Sequence, residues 1–250
     1  MLLKEWENLP PEMQNEDVKE YYDILKKKSL NLFIKRMFDI VVSFIMLVLL
    51  SPMFLILAIV IKIDSPGPVF YRQLRVTQYN KKFKIFKFRT MKVNSDKASL
   101  LTIDSDTRIT RVGKKIRKYR IDEICQLIDV LRGTMSFVGA RPEVPKYTEH
   151  YSSEMMASLL LPAGVTGLAS IYYKDEARLL KDGSNIDRIY IENVLPGKMH
   201  YYLSYIKDFS FLNDIKIMFM TVLAIFGKHY TDENLPNISM QVLEKTEIKK

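Results

Sequence analysis

Cysteine and tryptophan each occur once in these 250 residues, and histidine only three times. The lone Cys125 excludes an intramolecular disulfide and a cysteine-rich zinc site, and its solitude fits a reducing, cytoplasmic setting. His150, His200 and His229 show no metal-ligand spacing. Acidic residues are in deficit: 29 Asp and Glu stand against 38 Lys and Arg, a formal net charge of +9. That balance suits an anionic membrane surface, phosphate-bearing ligands or nucleic acid. Repeats and long low-complexity tracts are absent. No small-residue cleavage site follows the one apolar stretch, so a cleaved signal peptide is not expected.

That stretch runs from Ile40 to Ile61 without a charge, interrupted only by Ser43 and by Ser51-Pro52. Roughly 20 apolar residues suffice to cross a hydrocarbon core. Pro52 lacks an N–H and is expected to break the helix, with Ser51 placed to help satisfy the freed backbone group. Cations flank both ends: Lys26, Lys27, Lys28, Lys35 and Arg36 before, Lys62, Arg72, Arg75, Lys81 and Lys82 after. Lys and Arg beside a membrane segment prefer the cytoplasmic face. A helix-break-helix that enters and leaves by one face satisfies that rule, whereas a span violates it at one end. The re-entrant reading is therefore preferred, and Lys35 and Arg36 are expected to snorkel to the headgroups.

The chain then divides into a polar arm over 1–30, a re-entrant element over 31–63, one catalytic-sized domain over 64–228 and a polar tail over 229–250. Val69–Val76 and Lys82–Arg89 are rich in aromatic and β-branched residues, and Tyr79-Asn80-Lys81 joins them, which predicts a β-hairpin. Residues 92–110 read as loop. Ile121, Ile124, Leu127, Ile128 and Leu131 predict a helix that Gly133 stops. Residues 132–143 and 162–167 read as Gly-bearing loops, and Asp175–Asp187 as partly helical. Ser210–Phe226 predicts a second apolar helix, in the core or resting on the membrane, since Asp214 and Lys216 interrupt it. The class expected is α+β and mostly helical: a re-entrant membrane helix, then a cytoplasmic helical domain with a small β-hairpin.

The sharpest chemical signal is Arg117-x-x-Arg120-Ile121-Asp122-Glu123 at a predicted helix start. The partial positive charge of a first turn favours ionised carboxylates, and Arg117 and Arg120 are expected to lower their pKa further. Such a pair can supply a carboxylate nucleophile beside a second carboxylate that holds Mg²⁺ near phosphates. On spacing alone it could equally offset the helix dipole. Lys87 and Arg89 end the hairpin with two cations, and Arg132–Glu143 carries Arg141 on a loop suited to phosphate.

Read in order, several motifs resemble those of the monotopic phosphoglycosyl transferases, bacterial sugar transferases that start glycan assembly on polyprenyl phosphate. They are Lys35-Arg36-x-Phe38-Asp39-Ile40, the apolar run with Ser51-Pro52, Pro66-Gly-Pro-Val-Phe-Tyr-Arg-Gln-x-Arg75 and Lys87-Phe-Arg-Thr-Met91. Asp106-x-Arg-Ile-Thr-Arg-Val-Gly113, Asp122-Glu123-x-x-Gln126-Leu127, Arg141-Pro-Glu143, Pro162-x-Gly-Val-Thr-Gly167 and Asp214-Ile-Lys-Ile217 come after them. The resemblance implies a monotopic enzyme of the bacterial inner membrane with its catalytic domain on the cytoplasmic face. Its substrates would be a nucleoside diphosphate sugar, in that family usually uridine-linked, and polyprenyl phosphate, with Mg²⁺ as cofactor. Asp122 would be the nucleophile and Glu123 the metal ligand. Lys87, Arg117 and Arg141 match phosphate-contact positions, Lys174 a position often held by Arg, and Asp214 an acid near the site. Cys125 replaces a family proline, and Ala140 precedes Arg141 where the family has proline. Nucleic acid is not an expected partner, and a homodimer stays open. A non-catalytic basic membrane module, or a glycosyltransferase with metal on Asp104 and Asp106, would be the alternatives.

Overall fold

Asn15 opens the first helix, α1 (Glu16–Lys27), by accepting a hydrogen bond from the Val18 N–H at 3.0 Å. Glu16 and Asp17 in its first turn and Lys26 and Lys27 in its last complement the helix dipole. Val18, Tyr21, Tyr22 and Leu25 recur at helical spacing, and all four are buried with Leu9 and Met13 against Leu160, Ile206 and Phe209. The segment ahead of the apolar run therefore supplies one wall of the main core. The structure, a computed structural model, describes residues 3–93, 108–173, 186–228 and 230. Asp104, Asp106, Lys174, most of the 175–187 segment and nearly all of the tail lie outside the described residues.

The apolar run belongs to α2 (Ser29–Asp64), one helix of 36 residues. Two helices separated at Pro52 were expected, yet the backbone stays helical through it. The reason is local: the Val48 carbonyl, deprived of the Pro52 N–H, accepts from Ser51 Oγ at 2.8 Å. Leu32, Lys35, Asp39 and Ser43 form the buried stripe of its first half, whereas Phe44, Leu49, Leu55 and Ile59 are exposed. The helix is long and apolar enough to cross a membrane, and almost none of its apolar window is covered by protein. An uncovered surface of that kind marks the chain as membrane-associated.

Beyond α2, β1 (Phe70–Thr77) and β2 (Lys81–Phe88) pair antiparallel from Phe70↔Phe88 to Thr77↔Lys81. Tyr79 and Asn80 make the turn at φ 58° and 56°. The hairpin is close to that predicted. Helix α3 (Arg111–Lys118) comes next, with Gly113 N–H donating to Thr110 Oγ1 and Val112 N–H donating to Asp64 Oδ2, both at 3.0 Å. The last residue of α2 thus caps α3. A 3-10 turn over Ile121–Gln126 leads into α4 (Leu127–Arg132).

Two segments read as loops from sequence are instead partners. β3 (Met135–Val138) and β4 (Ala163–Thr166) form a parallel pair with Met135↔Ala163 and Val138↔Thr166 in register. Their glycines mislead a propensity reading, because Gly139 and Gly164 are needed for close approach: a Cβ on either would collide with the other's backbone. Short helices α5 (Pro145–Thr148) and α6 (Leu168–Tyr172) flank this pair. Helix α7 (Ile186–Ile189) runs through a π-type turn at Tyr190–Val194 into α8 (Leu195–Lys207). The apolar helix predicted over Ser210–Phe226 is α9 (Phe211–Ile225), and Ser210 caps it. Leu212, Phe219, Val222 and Ile225 leave one face of α9 exposed.

Candidate active site

The Asp122-Glu123 pair owes its position to a sharp reversal at Arg120, whose φ of 53° ends the α3 turn and starts the 3-10 turn at Ile121. Left-handed backbone at a non-glycine residue is uncommon, and here it fixes the direction in which the 3-10 turn leaves α3. Cys125 and Gln126 turn inward and are buried, leaving Asp122 and Glu123 half-buried on the first turn. The other end is fixed by the membrane helix. Arg36 Nη1 donates to the Val130 carbonyl at 2.7 Å and Nη2 to the Leu131 carbonyl at 2.8 Å, satisfying the open end of α4. Gly133 stops α4 at φ 82°, close against the same guanidinium.

Glu123 gathers charge from two other elements. Its Oε1 accepts from Lys87 Nζ of β2 at 2.8 Å and from Arg141 Nη2, just past β3, at 2.9 Å. Burial alone would raise the Glu123 carboxyl, but Arg141 and Lys87 outweigh it and hold Glu123 well below its usual value. Arg141 is correspondingly pushed up by Glu123. The three residues are far apart in sequence, so the cluster exists only because the hairpin, the 3-10 turn and the β3 exit converge.

Asp122 behaves differently. Among the described residues no side chain makes a hydrogen bond or ion pair with its carboxylate. Its pKa is raised, first by burial and then by the Glu123 charge, with Lys87 and Arg117 only partly offsetting them. Ionisation favoured by a helix start was expected, and the direction is the reverse. The turn is 3-10 and short, and Glu123 monopolises the cations that would have lowered its neighbour. The result is one carboxylate strongly paired and one poorly solvated and, among the described residues, without a side-chain partner.

Other site candidates are used elsewhere. Arg89 is buried and donates to the Pro66 and Ser65 carbonyls, clamping the exit of α2, and does not join the cluster. Asp214 accepts from Lys35 Nζ at 2.7 Å and from Tyr205 Oη at 2.6 Å, and no hydrogen bond or ion pair joins it to Glu123. Lys35 and Arg36 do not snorkel: both turn toward protein, since the stripe they occupy faces α4, β3 and α9. Arg117 lies in α3, before the reversal at Arg120, and acts on Asp122 only through charge. Cys125 is buried, donates weakly to the Asp122 carbonyl at 3.4 Å, and has its thiol pushed up to about 12 by burial and then by Asp129 and Asp122. Packing is its role. Asp64 as a cap and Arg36 as an end-stop carry no sequence signal beyond a charge at each helix end.

Among the described residues no cluster of three or more His, Cys, Asp or Glu could form an all-protein metal cage. Magnesium does not need one. It binds through one or two carboxylates and completes its shell with water and substrate phosphates. Glu123 has both cation contacts on Oε1, and among the described residues no donor reaches Oε2. The pair fits Mg²⁺ on those terms.

The chain is similar to known proteins over most of its length. The chain is 39% identical over 197 residues to a UDP-N-acetylgalactosamine-undecaprenyl-phosphate N-acetylgalactosaminephosphotransferase of Aeromonas hydrophila, covering 77% of this chain and 44% of the relative. It is 37% identical over 204 residues to a UDP-glucose:undecaprenyl-phosphate glucose-1-phosphate transferase of Klebsiella pneumoniae, covering 79% of this chain and 41% of the relative. An exopolysaccharide production protein of Rhizobium leguminosarum is 32% identical over 212 residues, covering 78% of this chain and 96% of the relative. The chain thus spans less than half the length of the first two relatives. A family model described as bacterial sugar transferase matches residues 30–228, and the chain belongs to that family.

Proposed function

We propose that this protein transfers a sugar 1-phosphate from a nucleoside diphosphate sugar, uridine-linked as in the relatives' names, to undecaprenyl or a similar polyprenyl phosphate. The observation that carries the reading is the division between neighbours: Glu123 takes Lys87 and Arg141, while Asp122 is left without a side-chain partner among the described residues. An unpaired, poorly solvated carboxylate is a better nucleophile than a paired one. Asp122 attacks the β-phosphorus, the bond to the bridging oxygen breaks, and the electron pair leaves with the nucleoside monophosphate. An oxygen of the lipid phosphate then attacks the same phosphorus, expelling Asp122 as carboxylate and giving the polyprenyl-diphosphate sugar.

Lys87, Arg141 and Arg117 stabilise charge on the transferring phosphoryl group. Glu123, with Asp122 beside it, would hold Mg²⁺, which neutralises diphosphate charge when bound. Arg89 and Asp214 act by holding the membrane helix to the domain, and Lys174 stays a candidate phosphate contact.

Both flanks of the apolar run touch one domain. Arg36 reaches α4, whereas Ile61 packs with Phe88, Ile116 and Cys125 and Asp64 caps α3. A straight crossing would place those flanks on opposite sides of a ~30 Å hydrocarbon layer, beyond the reach of one small domain. This supports a re-entrant α2 and a monotopic enzyme facing the cytoplasm.

The test uses intact-mass measurement after mixing donor and enzyme without acceptor. Wild type should gain one sugar-phosphate group and release a nucleoside monophosphate. Asp122→Asn should do neither while still binding membranes. Release of a diphosphate instead would mean transfer of the sugar alone.

A further inference from the structure

Arg75 in β1 folds its guanidinium beneath the Arg141–Glu143 segment. Nη1 donates to the Pro142 carbonyl at 3.1 Å, while Nε and Nη2 donate to Gln73 Oε1 at 3.2 and 2.6 Å. The next residue ties the same backbone, since Val76 N–H donates to the Glu143 carbonyl at 2.9 Å. These bonds use three of the five guanidinium N–H groups. Among the described residues no carboxylate lies within ion-pairing distance of Arg75. Arg141 nearby is committed to Glu123, which Lys87 already shares, and Glu143 accepts from Tyr190 Oη at 2.6 Å.

Two cations, Lys87 and Arg141, therefore share one carboxylate, and the guanidinium of Arg75 beside them has none of its own. A partly buried cation without a counter-ion is costly unless a ligand supplies the charge. A planar fork with two spare N–H groups matches adjacent phosphate oxygens better than a point charge does. Gln73, bonded to two nitrogens of the fork, sets its orientation.

We propose that Arg75 is a further anion-binding residue of this site, taking a phosphate oxygen of the nucleoside diphosphate beside Arg141. The proposal rests on the transferase reading above and extends it to a residue outside the Lys87, Arg117 and Arg141 set. Burial, and then the Arg141 charge, lower the Arg75 pKa, with Glu143, Tyr190 and Glu123 only partly offsetting them.

The experiment is calorimetric titration of the detergent-solubilised full chain with uridine diphosphate and, separately, with uridine. R75Q keeps a donor for the Pro142 carbonyl and removes the charge. It should weaken uridine diphosphate tenfold or more, flatten the salt dependence of its Kd and leave uridine binding unchanged. R75K should recover part of the loss, and Q73M, which keeps the charge but frees the fork, should lose less than R75Q. Unchanged diphosphate affinity in R75Q overturns the proposal. So does an equal loss of uridine and diphosphate binding with a lowered melting point, because that is the behaviour of a strut. The adduct assay separates the two readings: wild type that forms the adduct while R75Q binds normally sinks Arg75 alone, whereas wild type that neither binds diphosphate nor forms adduct sinks both.

Discussion

Lys35 Nζ lies 2.7 Å from Asp214 Oδ2, joining α2 to α9 through side chains only 2% and 3% exposed. The same ammonium donates to the Val138 carbonyl at 2.8 Å, at the end of β3, and Tyr205 Oη completes the partners of Asp214. One buried pair thus ties the membrane helix to the strand that delivers Arg141. Replacing Lys35 by Met leaves Asp214 charged and buried, at a cost of about 3–5 kcal/mol. Lys35→Met should lower the melting point in detergent sharply, and Lys35→Met with Asp214→Leu should recover part of it. Equal melting of wild type and the single variant would show that the pair contributes nothing.

Acidification should switch Asp122 off early. Its folded pKa lies above the ordinary aspartate value, so adduct formation, which needs the carboxylate, should fall with a midpoint above 3.8. Glu123→Gln removes the second cause of the upward shift and should move that midpoint down, whatever it does to the maximal rate. Burial also sets the sign of the effect on stability. A buried carboxyl that binds its proton more tightly when folded destabilises the fold at pH above its unfolded pKa. Asp122→Asn should therefore melt no lower than wild type at neutral pH, and a large drop would contradict the assignment of burial as the leading cause.

Cys125 should be silent toward thiol reagents. With its pKa pushed up to about 12 and its side chain buried, the native thiol should resist maleimide at pH 8 and react only after unfolding. That silence makes a topology test clean. Cysteines placed at Leu30 and Phe70 should both be labelled from the cytoplasmic face, and labelling from opposite faces would mean a span.

Gly133→Ala should destabilise by on the order of 1 kcal/mol, because φ is 82° and the added Cβ would sit 3.1 Å from Arg36 Nη2. The readout that separates strain from simple unfolding is the pairing with Arg36. If Arg36→Gln costs as much in the Gly133→Ala background as in wild type, the two act independently.

Much of this was legible in the chain. The hairpin announced itself through segments rich in aromatic and β-branched residues on either side of Tyr79-Asn80, and α9 through its apolar run interrupted by Asp214 and Lys216. Asp122 and Glu123 were singled out by their company of Arg and Gly motifs, and the structure brings Lys87 and Arg141 onto Glu123. What could not be read was partnership. β3 and β4 pair across a gap of 24 intervening residues and look like loops, because glycines that permit close packing are the same residues that suggest turns. Arg89 and Asp214 looked like ligands because charge in a motif does not declare its direction. Lys35 and Arg36 looked like headgroup anchors because burial is a property of the assembled fold. The raised pKa of Asp122 was missed for a related reason, since it depends on which neighbour captures Lys87.

The grip of Arg36 on the last carbonyls of α4 has a mechanical reading. A bracket joins the greasy element to the short segment that follows Asp122, so sinking or tilting one must carry the other with it. The distance between the bilayer surface and Asp122 is then a built-in dimension of the molecule, and lengthening or shortening that bracket by one methylene should detune acceptance of a lipid-borne phosphate before it affects the soluble donor.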